Sequence, residues 1–485
     1  MNSTMRIARI GGLGLALALA LEFAPSSLTS VLGIDTQALA QSSGRERKRR
    51  VPNITEATFR QLSDAQELVD AAQCQLDDQG RPPPVVEGAE PCRPVSAAEA
   101  KVLWNEALAV LTRMEQRSRR YNGNERGQIH NLLAYVNYEL DDIDKTIYHY
   151  EQVLAQVPDI TEVVENTTLQ QLSKLYFQEG QKYEGDRALP YYRKALDMME
   201  QWLVRSENPG PEAHFYMAQI YYQMKDFANA IARLELVVSI ARERGMKVKE
   251  SWWTMLQFLY FEEENWPKVI EILEILVKDY PKRVYWVNLA SVYGETDQGD
   301  KQLWTLEAAH AGGYLDQETD LRTYGGLLLQ NEIPNRASKY LQRGFDDEII
   351  EPTVTNLQTL GQAYQIGQDV DKAIPVFEEA ADLAEDGVTY DRLSALYLEK
   401  DEFLKCVTAA DNALDKGGLK KAITTKITKG ICQFNLDRLT AARRTFVDLR
   451  REARQERLRQ EERTAGQWIT YIDSEQRRRA ELNRR

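Results

Sequence analysis

Val354–Asp386 reads VTNLQTLGQAYQIGQDVDKAIPVFEEAADLAED, and its spacing decides the fold. Leu360 and Gly361 precede Tyr364 by four and three positions. Ala373 follows, then Phe377 four positions on and Ala380 three beyond that. Small and aromatic residues in this order describe two short helices packed back to back. Gly361 and Ala373 are small because the two backbones approach closely there. Tyr364 and Phe377 fill the groove between this helix pair and its neighbours. One such pair cannot bury its own core, so a single copy predicts others beside it.

Carried outward at a period of about 34 residues, the pattern recurs in both directions. Toward the N-terminus it finds Ala134 with Tyr138 and Tyr150, Ser173 with Tyr176 and Tyr192, Ala218 with Tyr221 and Leu234, and Tyr260 with Leu273. Ala290 with Tyr293 and Leu306, and Gly325 with Leu328 and Leu341, complete the approach to the opening stretch. Beyond it come Ser394 with Tyr397 and Cys406, then Gly430 with Ala442 and Phe446. Extra residues around Tyr183 and Gly185 interrupt the phase once. Asp141–Asp144, Met224–Phe227, Glu399–Glu402 and Asn435–Arg438 read as polar turns inside the pairs. Prolines and glycines gather at the junctions between pairs, where helix ends are expected. This is the pattern of tetratricopeptide repeats. The predicted fold is all-α, a right-handed TPR superhelix (an α-solenoid) of about nine to eleven helical hairpins.

The chain has 485 residues, 43% hydrophobic and 28% charged, with a net charge of −13. That composition supports a large core and disfavours a general nucleic-acid binder. Arg6 and Arg9 precede the apolar run Ile10–Leu21, and Ala38-Leu39-Ala40 fits a signal-peptidase pattern. The expectation is a signal peptide over 1–40, cleaved after Ala40; an uncleaved anchor is the alternative. No cysteine follows the apolar run, which argues against a lipid anchor there. The remaining chain divides into a basic disordered segment (41–53), an N-terminal helical hairpin (54–126), the repeat array (127–448) and a C-terminal capping helix with basic tail (449–485).

In the N-terminal hairpin, Phe59, Leu62, Ala65, Leu68, Val69 and Ala72 share one helical face, and Val102, Leu103, Ala107, Val110 and Leu111 share another. Cys74 and Cys92 bracket the Pro- and Gly-rich segment between these helices. A disulfide closing that loop is expected in an oxidising compartment. Cys406 and Cys432 fall at small-residue helix positions and read as buried free thiols. The four histidines (His130, His149, His214 and His310) are dispersed, and no Cys/His metal spacing exists. Arg443–Arg485 reads as one long Arg/Glu-rich helix whose patch Trp468, Ile469 and Ile472 covers the last repeat. The basic ends suit solvated tails, or attachment to acidic protein or anionic lipid headgroups.

No P-loop, dinucleotide fingerprint, zinc-protease motif or nucleophile elbow is present, so no enzyme activity, cofactor or metal is expected. Asn53-Ile54-Thr55 and Asn166-Thr167-Thr168 match a glycosylation pattern in form only. What remains is surface. The first helix of each pair is expected to line a concave face, with the residue after the consensus aromatic turned toward it. In the first four repeats that residue is Tyr138, Phe177, Tyr222 and Phe261. Tyr135, Lys174, Gln219 and Phe258 lie about a turn earlier, with Asn131, Gln170, Phe215 and Thr254 before them. This stripe suits an extended or helical peptide; equally, the aromatics can be filler between repeats. Gly294, Leu329, Gln365, Leu398 and Phe434 continue the series, so the stripe fades.

Four segments carry a more specific resemblance: Leu132-Leu133-Ala134-Tyr135, Lys249-Glu250-Ser251-Trp252-Trp253, Tyr280-Pro281-Lys282 with Tyr285-Trp286, and Gln467-Trp468-Ile469-Thr470-Tyr471-Ile472. With them the chain resembles the exported tetratricopeptide proteins that accompany TonB–ExbB–ExbD energy-transduction systems in Gram-negative bacteria. The resemblance spans about 54–475. It implies a non-catalytic periplasmic scaffold with TonB-, ExbB- or ExbD-type partners in outer-membrane uptake, and it offers no catalytic residues. The Cys74–Cys92 insertion is atypical of that family. An envelope assembly factor for pili, secretion or outer-membrane proteins is a second reading, and a carbohydrate- or peptidoglycan-binding solenoid a third.

Overall fold

The structure, a computed structural model, describes residues 49–74 and 93–482. The expected signal peptide and Cys92 lie outside these residues. The described chain is all-helical and divides into two units, the first ending at Gly245 and the second beginning at Met246. The first holds four hairpins: α1 (Glu56–Gln73) with α2 (Ala97–Glu115), α3 (Gly123–Glu139) with α4 (Ile143–Leu154), α5 (Glu162–Gln181) with α6 (Leu189–Arg205), and α7 (Pro211–Gln223) with α8 (Phe227–Glu243). The second begins with α9 (Glu250–Glu262) and α10 (Trp266–Asp279), α11 (Arg283–Glu295) and α12 (Gly299–Ala311), and α13 (Glu318–Gln330) and α14 (Pro334–Asp346). It continues with α15 (Val354–Ile366) and α16 (Val370–Leu383), α17 (Val388–Glu399) and α18 (Phe403–Lys416), and α19 (Ala422–Asn435) and α20 (Leu439–Gln455). Helix α21 (Arg459–Leu482) closes it. None of the described helices is long and apolar enough to cross a membrane.

The opening stretch forms α15 and α16. Ala373, Phe377 and Ala380 are fully buried. A Cβ at Gly361 would lie 2.8 Å from the Phe377 ring, which is why that position is glycine. Gly430 stands in the same relation to Phe446 in the last hairpin, at 2.7 Å. The small-plus-aromatic spacing therefore marks a helix–helix crossing, and it recurs because the crossing recurs.

Eight hairpins turn in the same way. Asp141, Lys225, Glu264, Asp297, Glu332, Gln368, Asp401 and Asp437 all take positive φ, between 54° and 65°. The amide after each donates to a carbonyl one turn back in the first helix, as Asp226 N does to Tyr221 O and Asn265 N to Tyr260 O. This is the Schellman arrangement that ends a helix, here made without glycine. Asp142, Asp226 and Asn265 then cap the second helix through their side chains. A non-glycine residue in the left-handed region costs about 1–2 kcal/mol. Glu264 is exposed, so Glu264→Gly is expected to stabilise the chain by about 1 kcal/mol, raising the melting temperature by about 2–4 °C. An unchanged or lower melting temperature in calorimetry would contradict this.

The N-terminal hairpin packs Leu62, Ala65, Val69 and Ala72 of α1 against Ala107, Leu111 and Trp104 of α2. Two expected core residues sit outside it. Phe59 is exposed, and Val102 is 57% exposed because the face that repeats four-three-four-three is Ala100–Trp104–Ala107–Leu111–Met114. Residues 49–53, expected to be disordered, are held in place. Asn124 Nδ2 donates to Pro52 O at 2.8 Å, Asn122 Nδ2 donates to Asn53 O at 2.8 Å, and Arg49 pairs with buried Glu165 at 2.6 Å.

At the C-terminal end the expected single helix is broken at Glu456–Leu458, where Arg457 takes positive φ. The break folds α21 back onto the last hairpin. Ala465, Ile469 and Ile472 are buried there, and Trp468 stacks on Phe446 at 5.3 Å.

Cys406 and Cys432 are not free thiols. They form a disulfide that joins α18 to α19. The helix positions are small because two successive hairpins cross there, and the same closeness lets the sulfurs bond. Cys74 is buried at the end of α1.

Candidate partner-binding surface

Four of the consensus tyrosines join successive hairpins. Tyr293 Oη of α11 donates to Glu274 Oε1 of α10 at 2.6 Å, and Tyr364 Oη of α15 donates to Gln342 Oε1 of α14 at 3.0 Å. Tyr176 of α5 donates likewise to Glu151 of α4, and Tyr397 of α17 to Glu378 of α16. Each is a first-helix tyrosine reaching the second helix of the preceding pair. Burial and the adjacent carboxylate push the phenols of Tyr176, Tyr293 and Tyr397 well up, so they remain donors. A lysine of the following helix lies over the ring in several cases: Lys301 on Tyr293, Lys372 on Tyr364 and Lys405 on Tyr397. The sequence reading missed this clasp. A partial signal was there, as a lysine eight positions after Tyr293, Tyr364 and Tyr397 but not after Tyr176.

The residue just after the consensus position has a fixed place of its own. In the regular hairpins it lies three positions before the positive-φ residue, at the turn end of the first helix. Tyr222 there is half-buried and stacks on Phe227, the first residue of α8, with centroids 6.2 Å apart. Phe261 is 45% exposed and meets Trp266, the first residue of α10, edge-on at 5.4 Å. Each pair spans its own turn and belongs to its own unit. Tyr138 holds the equivalent place in α3 and is half-buried; burial and the nearby Glu139 and Asp141 carboxylates raise its phenol pKa.

The remaining expected surface residues divide. Phe177 is 1% exposed and packs between Tyr192 and Tyr216, at 5.7 and 5.6 Å. It departs from the stripe because α5 runs on to Gln181 and the link to α6 is a 3-10 turn, Gly185–Arg187, not the eight-fold regular turn. Gln219 is also buried, at 7% exposure. Phe215 and Phe258 are half-buried. Tyr135 is half-buried too, but it belongs to the N-terminal core: it meets Trp104 edge-on at 5.7 Å and accepts a hydrogen bond from Gln73 Nε2 at 2.6 Å. Later turns carry Gly294, Leu329, Gln365 and Leu398, and aromatic character returns only at Phe434 beside Trp468 and Tyr471.

Two of the segments that carried the resemblance come together in space. Glu250 accepts from Lys282 Nζ at 2.6 and 2.8 Å and from the Tyr285 hydroxyl. Burial opposes its charge, yet Lys282 and Tyr285 hold the carboxyl below its usual range. Tyr280 Oη donates to Val248 O at 2.6 Å, and Trp252 is fully buried. These residues fix the approach of α11 to α9.

Two tetratricopeptide-repeat family models match the chain, one at residues 212–240 and one at 354–386. The first covers most of α7 and α8, the second α15 and α16. No curated protein matches the chain. Among solved structures, the TPR2AB domain of yeast Sti1 in its pHSP90 complex is similar at 14% identity, over 62% of this chain and 99% of that one, with a TM-score of 0.27. A tetratricopeptide repeat protein from Parabacteroides merdae is similar at 12% identity, over 56% and 99%, TM-score 0.30. The C-terminal part of one from Cytophaga hutchinsonii is similar at 14% identity, over 53% and 98%, TM-score 0.34. Both family models describe a protein-interaction repeat and neither describes an enzyme.

Proposed function

We propose that this chain of tetratricopeptide repeats is an extracytoplasmic scaffold for proteins of a TonB-dependent energy-transduction system, and that it engages them through the aromatic pairs at its hairpin turns. The observation that carries the binding mode is the pair Phe261–Trp266: large aromatics on adjoining helix ends, with Phe261 45% exposed. Aromatic anchors of this kind dominate the energetics of interfaces. Three observations support the partner and the compartment. The first is the set of four segments resembling the exported TonB-associated proteins. The second is the Cys406–Cys432 disulfide, which suits an oxidising compartment. The third is the N-terminal Arg6, Arg9, Ile10–Leu21 and Ala38–Ala40 pattern.

The test is site-specific photo-crosslinking in living cells, with the reactive residue at position 222 or 261. The expected capture is a TonB-, ExbB- or ExbD-type protein. Capture of pilus, secretion or outer-membrane assembly components in its place would move the reading to an assembly factor. With the captured partner in hand, Tyr222→Ala and Phe261→Ala are each expected to weaken binding about tenfold or more, with helicity unchanged by circular dichroism. Unaltered affinity in both variants would remove the turn aromatics from the interface.

A further inference from the structure

The two histidines nearest in sequence are brought into contact. His130 lies in α3 and His149 in α4, both buried, and their Nδ1 atoms are 3.1 Å apart. Their rings stack at 5.4 Å with an interplanar angle of 30°. Glu115, the last residue of α2, completes a triangle: its Oε1 is 3.9 Å from His130 Nδ1 and 3.8 Å from His149 Nδ1. A shared proton between the nitrogens would account for the histidine pair alone. It does not account for a carboxylate oxygen equidistant from both nitrogens on the same side.

We propose that Glu115, His130 and His149 form a binding site for a divalent transition-metal ion of zinc's class. The geometry is that of a three-ligand site with small adjustment. Zinc–nitrogen bonds of about 2.0–2.1 Å set at the tetrahedral angle place two ligand nitrogens about 3.3–3.4 Å apart. The observed 3.1 Å separation is close to that, and the carboxylate oxygen needs to close by about 0.5 Å. Glu115 is only half-buried, which leaves a side open for water as a fourth ligand. Two imidazoles and one carboxylate suit zinc, cobalt, nickel or copper, and not the all-oxygen preference of calcium or magnesium.

The electrostatic setting is compatible. Burial keeps both imidazoles below their ordinary pKa, which favours the neutral rings that ligate metals. The proton that one Nδ1 carries in the hydrogen-bonded pair passes to that ring's Nε2 when both Nδ1 atoms bind the ion. Burial also raises the Glu115 carboxyl, an anion that a cation at this point would compensate. The nearest cations are occupied: Arg126 donates to Gln156 Oε1 and Tyr121 O, and Lys145 pairs with Asp142. The ligands come from three successive helices. A bound ion therefore ties the N-terminal hairpin to the next one and stabilises the folded chain by mass action. Cys406 and Cys432 are joined to each other and offer no competing thiolate.

The experiment uses the purified full chain without a histidine tag, stripped with EDTA and titrated with ZnCl2 by calorimetry. The expected result is one ion per chain, a higher melting temperature with zinc, and absorption bands of tetrahedral cobalt when Co2+ replaces it. Glu115→Gln keeps the side-chain shape and is expected to weaken zinc binding at least about tenfold while leaving the EDTA-treated melting temperature in place. His149→Gln is expected to abolish binding; if that variant fails to fold, Glu115→Gln still decides. Absence of stoichiometric zinc binding by the parent chain would overturn the proposal, as would equal affinity in Glu115→Gln.

Discussion

Phe377→Ala is expected to destabilise the second unit by about 3–5 kcal/mol, among the largest effects any single substitution in this chain will have. The ring is fully buried and lies where the Cβ of any residue other than glycine at 361 would sit. It shares one core with Leu360, Tyr364 and Ile374 of its own hairpin and with Leu393 and Cys406 of the next. Arg392 covers its far face, 5.2 Å from the centroid. Truncation leaves a cavity that the rigid crossing of α15 and α16 cannot close, because Gly361 brings no side chain to fill it. In a repeat stack each hairpin is stabilised by its neighbours, so the loss will spread along the unit without a single sharp transition. Hydrogen exchange is the suitable measurement. Amides of α15–α18 should lose protection first and most, while α1–α4 keep theirs. Uniform loss over the whole chain, or a change below 1 kcal/mol, would contradict the packing role.

Reduction of the Cys406–Cys432 disulfide ranks second. The bond closes a segment with a sequence separation of 26, worth about 3.5 kcal/mol on the chain-entropy model. Both residues are fully buried where α18 meets α19. The folded crossing survives reduction, since two thiols occupy nearly the same volume; what changes is the freedom of the unfolded chain. A dithiothreitol-treated sample, and the double variant Cys406→Ala with Cys432→Ala, should both show a lower denaturation midpoint, equivalent to a loss of about 2–4 kcal/mol in unfolding free energy, with the far-ultraviolet spectrum preserved at low denaturant. Identical midpoints before and after reduction would mean that the bond adds nothing to stability.

The repeat was legible because its signal is steric. A glycine facing a phenylalanine at fixed spacing is a packing requirement, and packing requirements repeat when the crossing repeats. The same logic located the turns. It failed where the phase slips. Phe177 was assigned by counting from Tyr176, but α5 continues past the point where the other first helices turn, and the ring is carried inside. It failed again for Cys406 and Cys432, where small residues at a crossing looked the same whether oxidised or reduced. His130 and His149 looked dispersed because the sequence distance between them corresponds to no local metal motif. Their meeting depends on the register of α3 against α4, a tertiary quantity. The tyrosine clasps were hidden for a different reason. Their acceptors, Glu151, Glu274, Gln342 and Glu378, stand 25, 19, 22 and 19 positions before their tyrosines, with no single spacing to read, and align only once the hairpins are stacked.

Those clasps also give the stack a direction. Each runs from a tyrosine back to the second helix of the preceding hairpin, never forward, among the four described here. Peeling hairpins away from the C-terminal side strips carboxylates and an amide of their donors, and water solvates those groups at little cost. Peeling from the N-terminal side bares the phenols, and water accepts from them as readily. The clasps are polar in orientation: each junction offers donors toward the N-terminal side and acceptors toward the C-terminal side. The C-terminal edge of such a stack is an acceptor edge, and it is the edge over which α21 is folded as a lid.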